Sequence, residues 1–407
     1  MAKSSSSNKK HITPISEFKY MPPEIWSRIL ANLPAKTLLT FRCVCKSWCS
    51  IIDHPDFIYM HLKLRKHNSD NHNLLLALEG LGRGGCLLTV RKANTLRKTT
   101  QIFKKTDLYW YVLKGSCNGL LLVQQCGAPY FLQDLRLWNP CIRKSLLIPK
   151  CPLPSSFLEV VNYVFGFSPL CKDYKVVAIA FDGEKFSTKP ANMFVAVYTL
   201  SDQQWTVRNN GLNIDSSGFK RMVHDSEAYN KHEYTFPSMA VFFQGAAYWV
   251  GYDPSEDIIP GKRPTLLVSF DFDSEKFTYL ELPNIVEERF FSRFVFLLRD
   301  SLAIFGISYD SSSIWVLEKG AWTKRFSGKS GLDEYPVFSY CKAAKTKIFY
   351  CENDGGSFIC GRTYYNIESC EIKKLGKSMS KDLSLEAYSE SLVLCNGYGA
   401  QDLTFFT

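Results

Sequence analysis

No asparagine in this sequence is followed two places on by serine or threonine. No apolar run reaches 18 residues, and no apolar stretch follows Met1. These absences argue against a glycosylated secreted chain, a membrane-spanning helix and a signal peptide. Catalytic signatures are also missing: there is no Gly-x-Ser-x-Gly elbow, no Walker-type or dinucleotide glycine loop, and no His-Glu-x-x-His. The lone glycine-rich turn, EGLGRGG at 79–85, lacks the strand-to-helix setting that a phosphate loop needs. The expectation is a protein that is not an enzyme and carries no metal or other cofactor. The 14 cysteines show no framework spacing, which points to free thiols in a reducing compartment, cytoplasmic and/or nuclear.

Acidic residues are scarce at the start of the chain. Residues 1–110 hold 18 Lys+Arg and 7 Asp+Glu, a net of +11; the other 297 hold 31 and 32, a net of −1. The best basic cluster, RKANTLRKTTQIFKK at 91–105, belongs to no zinc-finger, basic-zipper or RNA-recognition pattern. Neither nucleic acid nor a membrane is expected as a partner. The opening MAKSSSSNKK reads as part of a disordered tail over 1–17.

Residues 20–65 read as short helices. Pro22 and Pro23 start the first, with Glu24 at the positive end of its dipole. Ile25, Ile29 and Leu33 recur every four residues, and Pro34 ends the helix. A second helix is predicted from about Ala35 to Val44. Trp48, Ile51 and Ile52 follow, and a short last helix runs through Phe57, Ile58 and Leu62. So small a unit scarcely has a core of its own. Its apolar residues exceed what one inner side can bury, which leaves a second apolar face needing a partner.

From about residue 73 the texture changes to short apolar runs between turn residues, the mark of strands. Examples are GLLLV 119–123, VVAIAF 176–181, FVAVYTL 194–200, MAVFF 239–243, AAYWV 246–250, LLVSF 266–270, FVFLL 294–298, LAIFGI 302–307 and KIFYC 347–351. A weak repeat of roughly 45–70 residues runs through them. Its clearest part is an aromatic-bearing strand, a polar turn and a closing strand, at 135–149, 195–209, 268–283, 313–326 and 361–375. The aligned aromatics are Trp138, Tyr198, Phe270 or Phe272, Trp315 and Tyr364. Four-stranded units at this period predict a β-propeller. Five tails are visible, and residues 73–110 with 384–395 supply a further blade that closes the ring, for about six. A large β-sandwich is the rival.

Two clusters resemble chemistry. Cys43, Cys45, Cys49 and His54 suggest zinc, but on one helix Cys43 and Cys45 would point about 200° apart, and the spacing matches no common zinc pattern. HDSEAYNKHEY at 224–234 gathers His224, Asp225, Glu227, His232 and Glu233. It lies in a long polar stretch that reads as a solvated loop.

Residues 18–62 resemble an F-box. The matching positions are Pro22, Glu24, Ile25, Ile29, Leu30, Leu33, Pro34, Leu38, Phe41, Arg42, Val44, Cys45, Lys46, Trp48, Ile52, Pro55 and Phe57. Met21 stands where the family usually has leucine. The remainder resembles the C-terminal F-box-associated, kelch-like region of plant F-box proteins. GSCNGLLLV (115–123), LWNPCIRK (137–144), FGFSPLCKDYKVV (165–177) and AYSESLVLC (387–395) carry that likeness. This group includes the S-locus and immune-regulating F-box proteins. The resemblance implies an α+β multidomain chain: a tail over 1–17, an F-box over 18–65, a linker over 66–72 and a propeller-like β domain over 73–407. It implies a substrate-recognition subunit of a Skp–cullin–F-box ubiquitin ligase, with the RING subunit reached through cullin and an unidentified target protein on the β domain. Pro22, Ile25, Ile29, Leu33, Pro34, Leu38 and Val44 are the expected adaptor-binding residues. Phe41, Trp48, Ile52 and Phe57 are the expected F-box core. Loops at 208–236 and 251–264 are the expected target contacts. The alternative is a protein- or ligand-binding propeller scaffold outside ubiquitination.

Overall fold

The computed structural model describes residues 22–67, 74–81, 85–92, 97–105, 109–126, 133–153, 162–182, 192–208, 240–252, 265–282, 292–298, 301–307, 311–328, 342–344, 347–354, 357–366, 371–374, 383–387, 389–395 and 398–402. The expected tail, the cluster at 224–234, the loops at 208–236 and 251–264 past their first one or two residues, and most of the linker at 66–72 lie outside the described residues.

Four helices come first: α1 (Pro23–Ala31), α2 (Ala35–Phe41), α3 (Lys46–Asp53) and α4 (Pro55–His67). Pro23 occupies the first turn of α1 and Glu24 follows it, as the fixed φ of proline and the helix dipole favour. The second helix is shorter than predicted. Cys45 takes an extended backbone (φ −158°, ψ 161°) and its Sγ accepts the Trp48 N–H, capping α3. That cap breaks the chain after Phe41 and leaves Val44 in the turn.

The strands follow in order: β1 (Leu74–Gly80), β2 (Cys86–Lys92), β3 (Lys98–Lys105), β4 (Trp110–Cys117), β5 (Leu120–Cys126), β6 (Gln133–Asn139), β7 (Lys144–Ile148), β8 (Asn162–Ser168), β9 (Asp173–Asp182), β10 (Asn192–Thr199) and β11 (Gln204–Val207). Then come β12 (Val241–Phe243), β13 (Ala246–Tyr252), β14 (Thr265–Asp271), β15 (Lys276–Glu281), β16 (Ser292–Leu298), β17 (Ser301–Ile307), β18 (Ser312–Glu318) and β19 (Ala321–Gly328). The last are β20 (Lys342–Ala344), β21 (Lys347–Asp354), β22 (Ser357–Asn366), β23 (Glu371–Lys374), β24 (Leu383–Ala387) and β25 (Gln401–Asp402). Each of the nine apolar runs picked out in the sequence falls on a strand.

The described strands make antiparallel sheets arranged as a propeller. Inner strands touch in the order β24, β4, β8, the β12–β13 hairpin, β16, β20 and back to β24. The expectation of about six blades needs correction to five regular ones. Among the described residues five blades have the regular four-stranded form, and the remaining sheet has five strands, β4 to β7 with β25 on its outer edge. The extra strand is a consequence of closure. β24 pairs with β1 over Leu75–Glu79, and the chain then continues to lay β25 along β7. The repeat aromatics Trp138, Tyr198, Phe270, Trp315 and Tyr364 all fall on the third strand of their sheets: β6, β10, β14, β18 and β22.

Tight hairpins set the blade register. Asn118-Gly119, Gln244-Gly245 and Lys319-Gly320 all have positive φ at both positions, the type I′ geometry that matches strand twist. Adjacent sheets bury an apolar layer between them, as with Val177, Val197, Trp249 and Phe270. Polar latches supplement it. Indole N–H groups on two outer strands reach the previous sheet: Trp205 donates to the Pro149 carbonyl at 2.8 Å and Trp322 to that of Glu281 at 3.1 Å. At the turn after β14, Lys175 Nζ lies 2.8 Å from Glu275 Oε1 and Arg208 Nε lies 2.8 Å from Oε2.

Burial opposes the charge on Glu275, but hydrogen bonds from Lys175 and Arg208 outweigh it and hold the carboxyl below its ordinary value. A carboxylate with a folded pKa below its unfolded one contributes stability above the ordinary value of about 4.3, and that contribution is lost as pH falls through the folded value. The melting temperature is therefore expected to drop as the solution is acidified from about pH 5. Glu275→Gln should lower the neutral-pH melting temperature and flatten that acid dependence, both readable by thermal scans across pH.

Candidate adaptor-docking face and its seat on the ring

The helical unit has two sides. Leu30, Ala31, Ala35, Leu38, Ile52, Phe57 and Leu62 are buried and share one core cluster with residues of the ring. On the outside, Ile25 is 45% exposed, Ile29 46% and Val44 61%. Pro22 and Pro34 are exposed, and Leu33 is half-buried. Leu38, expected on the docking face, is fully buried. Its position in the middle of the short α2 turns it towards the core, so it supports the face without forming it.

Of the expected core residues, Ile52 and Phe57 are buried, while Phe41 and Trp48 are half-buried. Trp48 sits between Trp26 and Phe41, with ring centroids at 5.1 and 5.2 Å. That tilted stack ties α1, α2 and α3 together. Arg42 locks α2 to α3: its NH2 donates to Asp53 Oδ2 at 2.8 Å and its Nε lies 2.7 Å from Oδ1. The hydrogen bond to Asp53 raises the Arg42 pKa further still, so the guanidinium stays charged.

The corner at Leu33-Pro34 is held from below. His61 is fully buried, with Nε2 at 2.9 Å from the Leu33 carbonyl. A carbonyl only accepts, so Nε2 carries the proton. Burial pushes the His61 pKa down, which keeps the ring neutral in that role. Arg65 donates to the Asn32 carbonyl at 2.9 Å. The Ala35 N–H, at the start of α2, donates to Glu390 Oε2 at 3.1 Å. That acceptor comes from the other end of the chain.

Residues 384–395 are expected in the closing blade, but only Leu383–Ala387 pairs with β1, and 389–395 carry no strand. Leu392, Val393, Leu394 and Cys395 are buried in the cluster shared by helices and ring. Asn139, fully buried at the end of β6, donates from Nδ2 to the carbonyls of Ser391 (3.0 Å) and Val393 (2.7 Å). Its Oδ1 accepts from Cys141 N–H at 3.0 Å. Gly119 has φ +80°, and a Cβ there would lie 2.7 Å from the Ser389 carbonyl oxygen. Leu394 itself has φ 70°, a conformation that costs a bulky residue roughly 1–2 kcal/mol. The signal was present in LVLC beside the motif phrases NPC and CNG, but nothing local says these segments meet.

Further contacts complete the seat. Lys172, in the β8–β9 turn, lies 3.2 Å from Asp56 and 5.9 Å from the Tyr59 ring centroid. Tyr59 stacks on Phe167 at 6.1 Å. Cys49 and Cys395 both approach the Asp53 carboxylate, at 3.4 and 3.9 Å. The hydrogen bond to Asp53 raises the Cys49 pKa, and burial pushes Cys395 up to about 11. These are protonated thiols packed against an ion pair. Cys43 and Cys45 lie apart in the exposed α2–α3 turn and at its helix cap. Among the described residues no three His, Cys, Asp or Glu side chains gather as a metal would require. In the basic cluster at 91–105, Arg91 is consumed by Glu79 at 2.5 Å within the first sheet.

The chain is thus a two-module protein, a four-helix head with an outward apolar face seated on a closed β ring. Residues 18–59 match the F-box domain family, and residues 89–395 match the F-box associated beta propeller domain family. The chain belongs to the F-box proteins that carry this associated propeller. Its relatives are F-box proteins of Arabidopsis thaliana. The F-box/kelch-repeat protein At3g23880 is 29% identical over 39% of this chain and 44% of its own. The F-box protein At4g38870 is 22% identical over 95% of this chain and 87% of its own. Among solved structures, TolB from Acinetobacter baumannii has a TM-score of 0.43 at 11% identity over 81% of this chain and 70% of its own. The first of these relatives is matched over less than half of its length. No helix among the described residues is long and apolar enough to cross a membrane.

Removing the Asn139 amide should strip two buried carbonyls and two buried N–H groups of their partner. Asn139→Ala is expected to cost about 2–4 kcal/mol and to lower the melting temperature of the whole chain. Gly119→Ala should destabilise as well, because the new methyl meets the Ser389 carbonyl. Chemical denaturation followed by tryptophan fluorescence reads both.

Proposed function

We propose that this chain is the substrate-recognition subunit of a Skp–cullin–F-box ubiquitin ligase. Pro22, Ile25, Ile29, Pro34 and Val44, with Leu33 at the edge, dock a Skp-type adaptor. Cullin and RING subunits follow through that adaptor. The observation that carries this reading is the exposure of Ile25, Ile29 and Val44 in a head whose other large apolar residues mostly face inward. An apolar face of that kind needs a cover.

The ring holds a target protein, and the contribution of the chain is proximity: it raises the effective concentration of acceptor lysines near a charged ubiquitin-conjugating enzyme. The bond-making chemistry belongs to other subunits, and the reading requires no cofactor. The helices cover the end of the ring where first strands turn into second and third into fourth, as at Lys172 and at Cys141–Ile142. The connections between β11 and β12 and between β13 and β14 therefore leave from the opposite end. Those are the segments expected to meet the target. Cytoplasm and nucleus are the compartments this role implies.

Co-expression with a plant Skp-type adaptor should give a stable complex in a pull-down. Ile29→Ala/Val44→Ala changes only exposed positions, so folding should survive. The loss of central apolar contacts worth about 1–2 kcal/mol each should weaken the complex by at least about tenfold. A folded wild type that ignores every adaptor offered would refute the reading.

A further inference from the structure

The head distributes its charges unevenly. Residues 22–67 hold three acids, Glu24, Asp53 and Asp56, and seven bases. Two of the acids are already paired: Asp53 inward with Arg42 beside Cys395, and Asp56, which is exposed, with Lys172 of the ring. Outside, Arg28, Lys36 and Lys46 are exposed, and among the described residues none of them has an ion-pair partner.

These three bases border the apolar face. Arg28 lies three residues from Ile25 and one from Ile29 on α1, on the same outward side. Lys36 is two residues beyond Pro34, and Lys46 two beyond Val44. The placement also runs against local electrostatics. Lys36 and Lys46 stand in the first turns of α2 and α3, where the helix dipole is already positive, and neither first turn carries an acid. A break of this rule at two helices marks both positions for a role outside the helix.

We propose that the docking face is an apolar centre ringed by Arg28, Lys36 and Lys46 that selects an acidic partner surface. Resting on the adaptor reading above, this commits to a Skp-type adaptor that presents carboxylates around its apolar contact. The bases steer the encounter, and the apolar centre sets the residence time. Adaptors of the same type lacking those carboxylates associate more slowly with this chain.

The test is association kinetics between the full chain and a purified plant Skp-type adaptor. Sodium chloride is raised from about 0.01 M to about 1 M, which shrinks the Debye length from roughly 30 to 3 Å. The association rate should fall by at least about tenfold, with dissociation nearly constant. Arg28→Ala/Lys36→Ala/Lys46→Ala, all at exposed positions, should associate slowly at low salt and lose most of the salt response. Ile29→Ala should instead speed dissociation and keep the salt response. A complex whose association ignores salt, or a triple variant that associates like the wild type, overturns the charge selection and leaves the adaptor reading standing. A folded chain that binds no adaptor at any salt overturns both.

Discussion

The side-chain amide of Asn139 is the joint on which the two modules depend. It grips two carbonyls of residues 389–395 and two N–H groups of its own turn. By doing so it fixes a segment that is neither blade nor helix. Above that segment, Glu390 accepts the Ala35 N–H and Cys395 touches Asp53. Around it, Leu392 to Cys395 join the helices and the ring into one core. A short helical unit that scarcely has a core of its own thus borrows one. A buried amide with all its capacity used is a stiff connector, because each partner it lost would cost more than an exposed hydrogen bond returns.

That joint sorts the surface of the head. Residues needed inward, such as Leu38, Ile52, Phe57 and His61, are withdrawn from solvent. What remains outside is the set that neither the bundle nor the ring can use: Ile25, Ile29 and Val44, with Arg28, Lys36 and Lys46 at their border. The same logic runs around the ring. Each sheet offers its neighbour an apolar face, and polar groups appear where a specific partner waits, as Glu275 does for Lys175 and Arg208. Ion pairs also join modules and blades, as Asp56 with Lys172 and Glu275 with Lys175.

Much of this was legible in the residues. The helices, the strand runs and the third-strand aromatics were marked by proline positions, apolar runs and repeated turn chemistry, all of which are local. The pairing of β1 with β24 followed from the need to remove an open edge. Three things were not legible. Val44 was read as helical because nothing in FRCVCKSW announces that a cysteine will cap α3. Leu38 is expected outward from the F-box resemblance, which does not say which face of so short a helix the ring will cover. The fifth strand beside β7 depends on where the chain goes after closing the ring, and two residues, Gln401 and Asp402, carry no strand signal. The last two misses turn on a choice of faces or a long-range contact that only tertiary packing settles; the first is local, but cysteine is not among the residues that usually cap a helix.

The strand that closes the ring and the segment that seats the head are made long after the parts they join. β1 is available after about a fifth of the chain has been synthesised, yet its inner edge stays open until Leu383–Ala387 arrives. The four helices form early, but their seat exists only once Glu390 and Cys395 have left the ribosome. Closing a span of that length is slow, because the entropy of the intervening chain must be overcome before any native contact rewards it. A chain cut short anywhere before residue 383 therefore lacks the closing strand and the seat together. Synthesis through residue 395 is thus the condition for holding the helical head in a fixed relation to a closed ring.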